Sequence, residues 1–328
     1  MNKENIIKMM NNGIKHFSYS FIKSLTNIIV TNPNRSTIYL LVITEHSLLL
    51  QILIYYLIDD YNVKIINNLD NINHNDIIIP VCVKAQALLY KDKIYSTLDN
   101  KKSFYNLLGN YSNCLKHIHL IPSYDKNYKG DNIFKNFLLK PVNDWGSKNI
   151  LFKEGFIYDI ISKYAKTHQI QDIIKLKAIY EANFVCKDGV IINNIMCITN
   201  ESILTQNYLD SIDNTKNIPK YILITKNIPK YILKLCKTVI ASLNYNGFIE
   251  FEFIKDVNGK FYIMECNPRI SGTIYNPLYF KELVEPYFYI KSTFANYLVK
   301  SYEYKYEKKV KYNSYLNLQK YLKFKLKI

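Results

Sequence analysis

A chain of 328 residues that is 48% hydrophobic and 21% charged falls outside the disordered and fibrous classes and is long enough for two or three packed units. Its formal charge of +16 and pI near 9.3 exclude an acidic solvating protein. They favour an anionic ligand such as a nucleotide, and are met by a Lys-rich solvated surface or by a nucleic-acid partner.

Residues 1–35 are polar with scattered aromatics and read as an N-terminal extension; the opening MNKENIIKMM lacks the apolar h-region of a signal peptide. The run Thr37 to Thr44 predicts a strand buried on both faces, Ser47 to Leu57 a helix, and Tyr61–Ile66 and Asp76–Pro80 two further strands. This strand–helix–strand order implies a small parallel sheet. The apolar stretch Ile38 to Leu57 is broken by Glu45, His46 and Gln51, which argues against a membrane span. Asp99 to Leu108 predicts a helix start, Phe137 to Pro141 a strand, and Lys175 to Val185 with Gly189 to Ile195 a hairpin around Lys187-Asp-Gly189. Ile228 to Leu243 predicts an amphipathic helix with Ile232, Leu235, Cys236, Val239 and Ile240 on one face.

The segment Thr215 to Leu223 recurs letter for letter at 225–233, a tandem duplication whose first copy is expected in a surface loop. The Lys- and Tyr-rich last thirty residues read as a peripheral basic helix. The six cysteines, at 82, 114, 186, 197, 236 and 266, form no CxxC pair, so reduced thiols and a cytoplasmic location are expected. His117 and His119 have no third ligand to make a zinc site.

The chemistry concentrates between Gly247 and Gly272. Asn258-Gly259 predicts a two-residue type I′ turn that sets Val257 against Lys260. Counting outward, Glu252 faces Glu265 and Glu250 faces Asn267, all four on one face. Ile249, Phe251, Phe253, Met264 and Cys266 take the other, apolar face. Two carboxylates at a cross-strand spacing of about 4.5–5.5 Å between Cβ atoms repel unless a cation neutralises them. Glu and Asn oxygens suit Mg²⁺ shared with nucleotide phosphates, and Arg269 can offset charge on a transferring phosphoryl group.

Glu265-x-Asn267-Pro-Arg269-x-Ser271-Gly272, thirteen residues after Glu252, resembles the ATP-grasp superfamily in its carbamoyl-phosphate synthase-like, carboxylate–amine ligase form. The resemblance covers roughly residues 36–295. It implies a mixed α/β and α+β architecture, an ATP-grasp fold of two α+β lobes (99–295) preceded by a small Rossmann-like parallel-sheet domain (36–98) and followed by a basic tail (296–328). It also implies metal ligation by Glu252, Glu265 and Asn267, and phosphate contact by Arg269. Asp99-Asn-Lys101-Lys-Ser-Phe104 resembles the helix start whose lysine reaches the nucleotide, and Leu139-Lys140-Pro141 the Lys-Pro strand. Val142 to Ser147, with Gly146 and Ser147, resembles the flap over the phosphates. Gln171-Asp172-Ile173-Ile174 resembles the hinge that binds adenine through its backbone, and Glu181 the acid that follows it.

The implied activity is ATP- and Mg²⁺-dependent, with Mn²⁺ as a substitute ion: a carboxylate becomes an acyl phosphate, then an amine or similar nucleophile attacks. Lys140 and Arg269 are the implied catalytic residues. The implied partners are small-molecule carboxylate and amine substrates; no membrane is expected, a nucleic acid is disfavoured, and an oligomer stays open. One departure stands out: the flap has a single glycine, with Asp144, Trp145 and Asn149 beside it. It motivates an alternative, a nucleotide-binding relative without turnover; the net charge motivates another, a basic nucleic-acid-binding protein.

Overall fold

The computed structural model describes residues 36–43, 49, 50, 53, 57, 61–70, 72, 76–142, 150–199, 221–275, 279–287 and 308–311. Three strands, β1 (Thr37–Leu41), β2 (Asn62–Ile66) and β3 (Ile77–Pro80), form a parallel sheet in the order β2-β1-β3. Their near-continuous apolar sequence is buried, as expected for parallel strands covered on both faces. Helices α1 (Val83–Tyr90), α2 (Ile94–Asp99) and α3 (Lys101–Leu108) follow. Asn100 caps α3, its side chain accepting from Ser103 N at 3.0 Å.

A four-stranded antiparallel sheet comes next, ordered β5 (Ser123–Tyr124), β8 (His168–Asp172), β6 (Phe134–Pro141), β7 (Leu151–Phe156). Helix α4 (Ile157–Tyr164) packs Ile157, Ile160 and Ile161 on Phe137, Leu139 and Ile170, so these define the sheet's inner face. Leu138, Lys140, Gln169 and Gln171 therefore share the other face.

The largest sheet has seven strands. It runs β14 (Lys308–Lys311), β11 (Tyr221–Thr225), β10 (Val190–Thr199), β9 (Leu176–Lys187), β12 (Gly247–Asp256), β13 (Phe261–Asn267), β4 (Ile118–Leu120). One face packs on α1 to α3 and on α5 (Lys230–Ser242). The five apolar positions of α5 read from its period are all buried there. The opposite face changes character along β12: Phe248 joins the core shared with the parallel sheet, Glu250 and Glu252 follow, and Ile254 joins a second apolar cluster. Two α+β units behind a small parallel sheet match the expected architecture; whether the β1–β2 connection completes a Rossmann-like unit lies outside the described residues.

Four expectations need correction. The loop between β12 and β13 is not a two-residue type I′ turn, because Asn258 has a negative φ. Asp256 pairs with Lys260, its N–H donating to Lys260 O at 2.9 Å, and its carboxylate accepts from Asn258 N and Lys260 N. Gly259 (φ 84°) closes a three-residue turn. The register is thereby off by one near the turn (Lys255 faces Phe261), and a bulge opposite Glu252 and Phe253 restores it. The bulge also moves Met264 off the core face, where Ile263 replaces it. The type I′ geometry belongs instead to Asp188-Gly189, both at positive φ between β9 and β10.

The repeat supplies the third correction. The first copy does not end in a loop: Tyr221-Ile-Leu223 begins β11, whereas Tyr231-Ile-Leu233 in the second copy is helical. Finally, Lys308–Lys311 is a strand paired with β11 and not part of a helix.

Gln86 ties these parts together. Fully buried in α1, its Nε2 donates to Phe248 O (2.8 Å), to the Tyr245 hydroxyl (3.1 Å) and to Pro268 O, and its Oε1 accepts from Phe248 N (2.7 Å). Gln86→Leu strands several buried backbone groups, each worth about 1–3 kcal/mol. A loss of about 3 kcal/mol or more in urea unfolding is expected.

Candidate active site

Strand pairing sets Glu181 (β9), Glu252 (β12) and Glu265 (β13) in one row, with Asn183, Glu250 and Asn267 in the next. Glu250 is 3% exposed and Asn267 8%. The Asn267 amide nitrogen bridges Glu252 Oε1 (2.7 Å) and Glu250 Oε2 (3.1 Å), and its carbonyl accepts from Arg269 Nη2 at 3.3 Å. The Thr273 hydroxyl donates to Glu181 Oε2 at 2.6 Å and accepts from Ser271 Oγ at 3.1 Å.

Cations arrive from two other directions. Lys101, at the first turn of α3, reaches Glu265 at 3.7 Å. Lys140, at the end of β6, is 3% exposed; burial pushes its pKa down, and the charges of Glu265 and Glu252 pull it back up. The acids respond unequally. Burial alone would raise Glu265, but Lys140 and Lys101 outweigh it and hold this carboxyl below its ordinary value. Glu252 is driven well up by burial, then by Glu265, Glu250 and Glu181. Burial and Glu250 push Glu181 up to about 8.

The residues singled out in the sequence therefore divide. Lys101, Lys140, Glu181, Glu252, Glu265, Asn267 and Arg269 converge. Ile174 packs on the apolar cluster of Ile121, Leu176, Ile254 and Tyr262 beyond the acids. The Asp172 side chain points to the inner face, where it pairs with Lys135 and accepts from the Tyr124 hydroxyl. Gly146 and Ser147 lie outside the described residues. His117 and His119 make ring contacts with Tyr231 and Tyr262. All six cysteines are free.

Sequence reading placed Glu250 on this face without giving it a role, and gave none to Asp99, Ser271 or Thr273 as members of the set. Strand alternation does place Glu250 on this face. Asp99 is raised by burial and drawn back by Arg269 and Lys101, a proximity without a sequence signal.

The donor set fits a hard divalent cation. Two crowded carboxylates, one of them pushed upward by burial and its acidic neighbours, a crowding that a cation would relieve, stand beside an amide oxygen donor. Among the described residues no group of three or more His, Cys, Asp and Glu side chains forms a self-sufficient metal cage.

No family model and no curated protein matches the chain. Solved structures do. The biotin carboxylase domain of 2-oxoglutarate carboxylase from Hydrogenobacter thermophilus, in complex with MgADP, ADP and bicarbonate, matches at 15% identity and TM-score 0.46, covering 66% of this chain and 53% of that one. L-amino acid ligase from Bacillus licheniformis matches at 10% and 0.44, covering 73% and 68%. D-alanyl-alanine synthetase A from Vibrio cholerae matches at 11% and 0.46, covering 71% and 89%. The chain thus spans about half the length of the first of these. With TM-scores below 0.5, functional assignment falls to the residues of the site.

A carboxyl with a raised folded-state pKa keeps a proton that the unfolded chain has released, so stability declines as pH rises through that window. Glu181, ordinarily near 4.5 and here about 8, should make the ligand-free protein lose melting temperature between about pH 5 and 8. Glu181→Gln should flatten the profile. The difference between the two profiles isolates this group from Lys140, whose downward shift gives the opposite slope.

Proposed function

We propose that the chain is an ATP-grasp enzyme, a Mg²⁺- and ATP-dependent ligase that activates a carboxylate as an acyl phosphate for attack by an amine or similar nucleophile. One observation carries this reading: Glu252 and Glu265 face each other across a strand pair, with Asn267 and Arg269 beside them and Lys101 and Lys140 converging from other elements. Negative charge at the base of a site ringed by three cations is a cradle for polyphosphate with a divalent ion.

In this reading Lys101 and Lys140 neutralise the phosphates, and Glu252, Glu265 and Asn267 would hold the metal. A bound Mg²⁺ offsets charge on the phosphate oxygens. Arg269, held by Asn267 and the Ile270 carbonyl, steadies the transferring phosphoryl group and the acyl phosphate. The hinge from Gln171 to Ile174 and the cluster around Ile254 and Tyr262 enclose the base. Gly146 and Ser147, by the resemblance of Val142 to Ser147 to the family's flap, would help exclude water from the reactive intermediate. Residues 36–98 serve as the preceding domain and 99–295 as the catalytic unit, to which β14 adds an edge strand. Among the described residues no helix is long and apolar enough to cross a membrane; we place the enzyme in the cytoplasm.

Phosphate release from ATP should depend on a matched carboxylate and amine, tested as a panel. Glu265→Gln or Arg269→Ala should cut that release about 10²-fold or more. Nucleotide binding without release under any pairing would instead identify a non-catalytic relative.

A further inference from the structure

Glu250 has no role in the scheme above, yet it is the most deeply buried of the four acids on this sheet face. In the ladder it stands between Asn267 on β13 and Asn183 on β9. Asn183 is committed elsewhere: its amide nitrogen donates to Glu181 O at 3.0 Å, and its carbonyl accepts from the Tyr279 hydroxyl at 3.0 Å. Along β12 the same face carries Phe248 before the acids and Ile254 after them. Packing therefore does not call for a carboxyl at 250, and burying one is costly unless a donor meets it.

That donor is Asn267. Its Nδ2 reaches Glu250 Oε2 at 3.1 Å and Glu252 Oε1 at 2.7 Å, and its carbonyl accepts from Arg269 Nη2 at 3.3 Å. The two ends of a carboxamide are alike in shape and opposite in chemistry. With its nitrogen spent on two carboxyls, Asn267 leaves its oxygen on the side of Arg269. Glu252 belongs to the ligand set, so a cation there competes for the oxygens that accept from Asn267. Glu250 stands outside that set, and its acceptor stays in place. Burial pushes Glu250 toward its neutral form and the charge of Arg269 draws it back; both forms keep an oxygen that accepts from the amide.

We propose that Glu250 is a positioning residue: it anchors the Asn267 nitrogen, so that Asn267 presents its oxygen, and not its N–H groups, to a divalent cation, while Glu250 itself takes no part in ligation. This rests on the reading that Glu252, Glu265 and Asn267 hold such an ion. It explains why a third carboxyl is buried one row behind the pair that faces the cation. Hydrogen-bond partners that stand behind a ligand in this way commonly account for about 10–100-fold in metal affinity.

The test titrates full-length protein with Mn²⁺ in the presence of ADP and follows the faster relaxation of water protons that protein-bound Mn²⁺ produces. Glu250→Gln should weaken binding about tenfold or more, because a carboxamide at 250 also offers N–H groups and lets Asn267 turn round. Asn267→Asp carries an oxygen at both ends and has no orientation to fix. In that background Glu250→Gln should not weaken binding, since donor and acceptor have simply changed places between the two positions. Loss of one nearby charge, by itself, would weaken binding equally in both backgrounds. That additive result, or an unchanged affinity for Glu250→Gln, overturns the inference and leaves the metal site intact. Should either single variant fail to fold, as read by its melting temperature, the double variant decides. An affinity within about tenfold of wild type supports the pairing, and a weaker one, or an unfolded double variant, overturns it. Wild type that binds no Mn²⁺ with ADP, or Glu265→Gln that binds it unchanged, overturns the reading beneath as well.

Discussion

Mutual repulsion among acids is the constraint on which this protein's arrangement depends. Glu181, Glu250, Glu252 and Glu265 lie within two rows of one sheet face, with little water to screen them. Such crowding is tolerable only where protons, cations or hydrogen-bond donors neutralise it. The fold supplies all three: a raised affinity for protons at Glu181, Glu250 and Glu252, cations at Lys101, Lys140 and Arg269, and the amide of Asn267.

Each neutralising group comes from a different structural unit. Lys101 starts a helix, Lys140 lies at the end of a strand of the four-stranded sheet, and Arg269 is two residues past the end of β13. The charge set therefore couples the two α+β units directly. Gln86 adds a neutral link, joining α1 to the start of β12 and to the Pro268 carbonyl beside Arg269. A divalent ion with a polyphosphate would replace protons and lysines as the balancing charge, a natural means by which ligand binding could alter how the units meet.

Much of this was legible in the sequence, for identifiable reasons. Period-2 alternation placed Glu250, Glu252, Glu265 and Asn267 on one face, and the 3.6-residue period gave the buried side of α5 residue by residue. The two-residue turn assigned to Asn258-Gly259 was wrong, since the Asp256 carboxylate organises a longer loop that Asn-Gly alone does not reveal. The duplicated segment shows the same limit more sharply: Tyr-Ile-Leu forms a strand at 221–223 and a helix at 231–233. Identical local propensity was overridden by what each copy packs against. Contacts such as Gln86 to Pro268 span too many residues to leave any local trace.

The longer loop and the bulge at Met264 form a compensating pair. Each displaces the pairing by one residue, in opposite senses, and the acids sit beyond both. A one-residue deletion at the tip would not be read locally. It would propagate down the ladder until the bulge dissolved, or else turn Glu265 inward among phenylalanines. Related chains should thus gain or lose the two irregularities together, a coupled insertion and deletion about five residues apart with an unchanged carboxylate row as its signature.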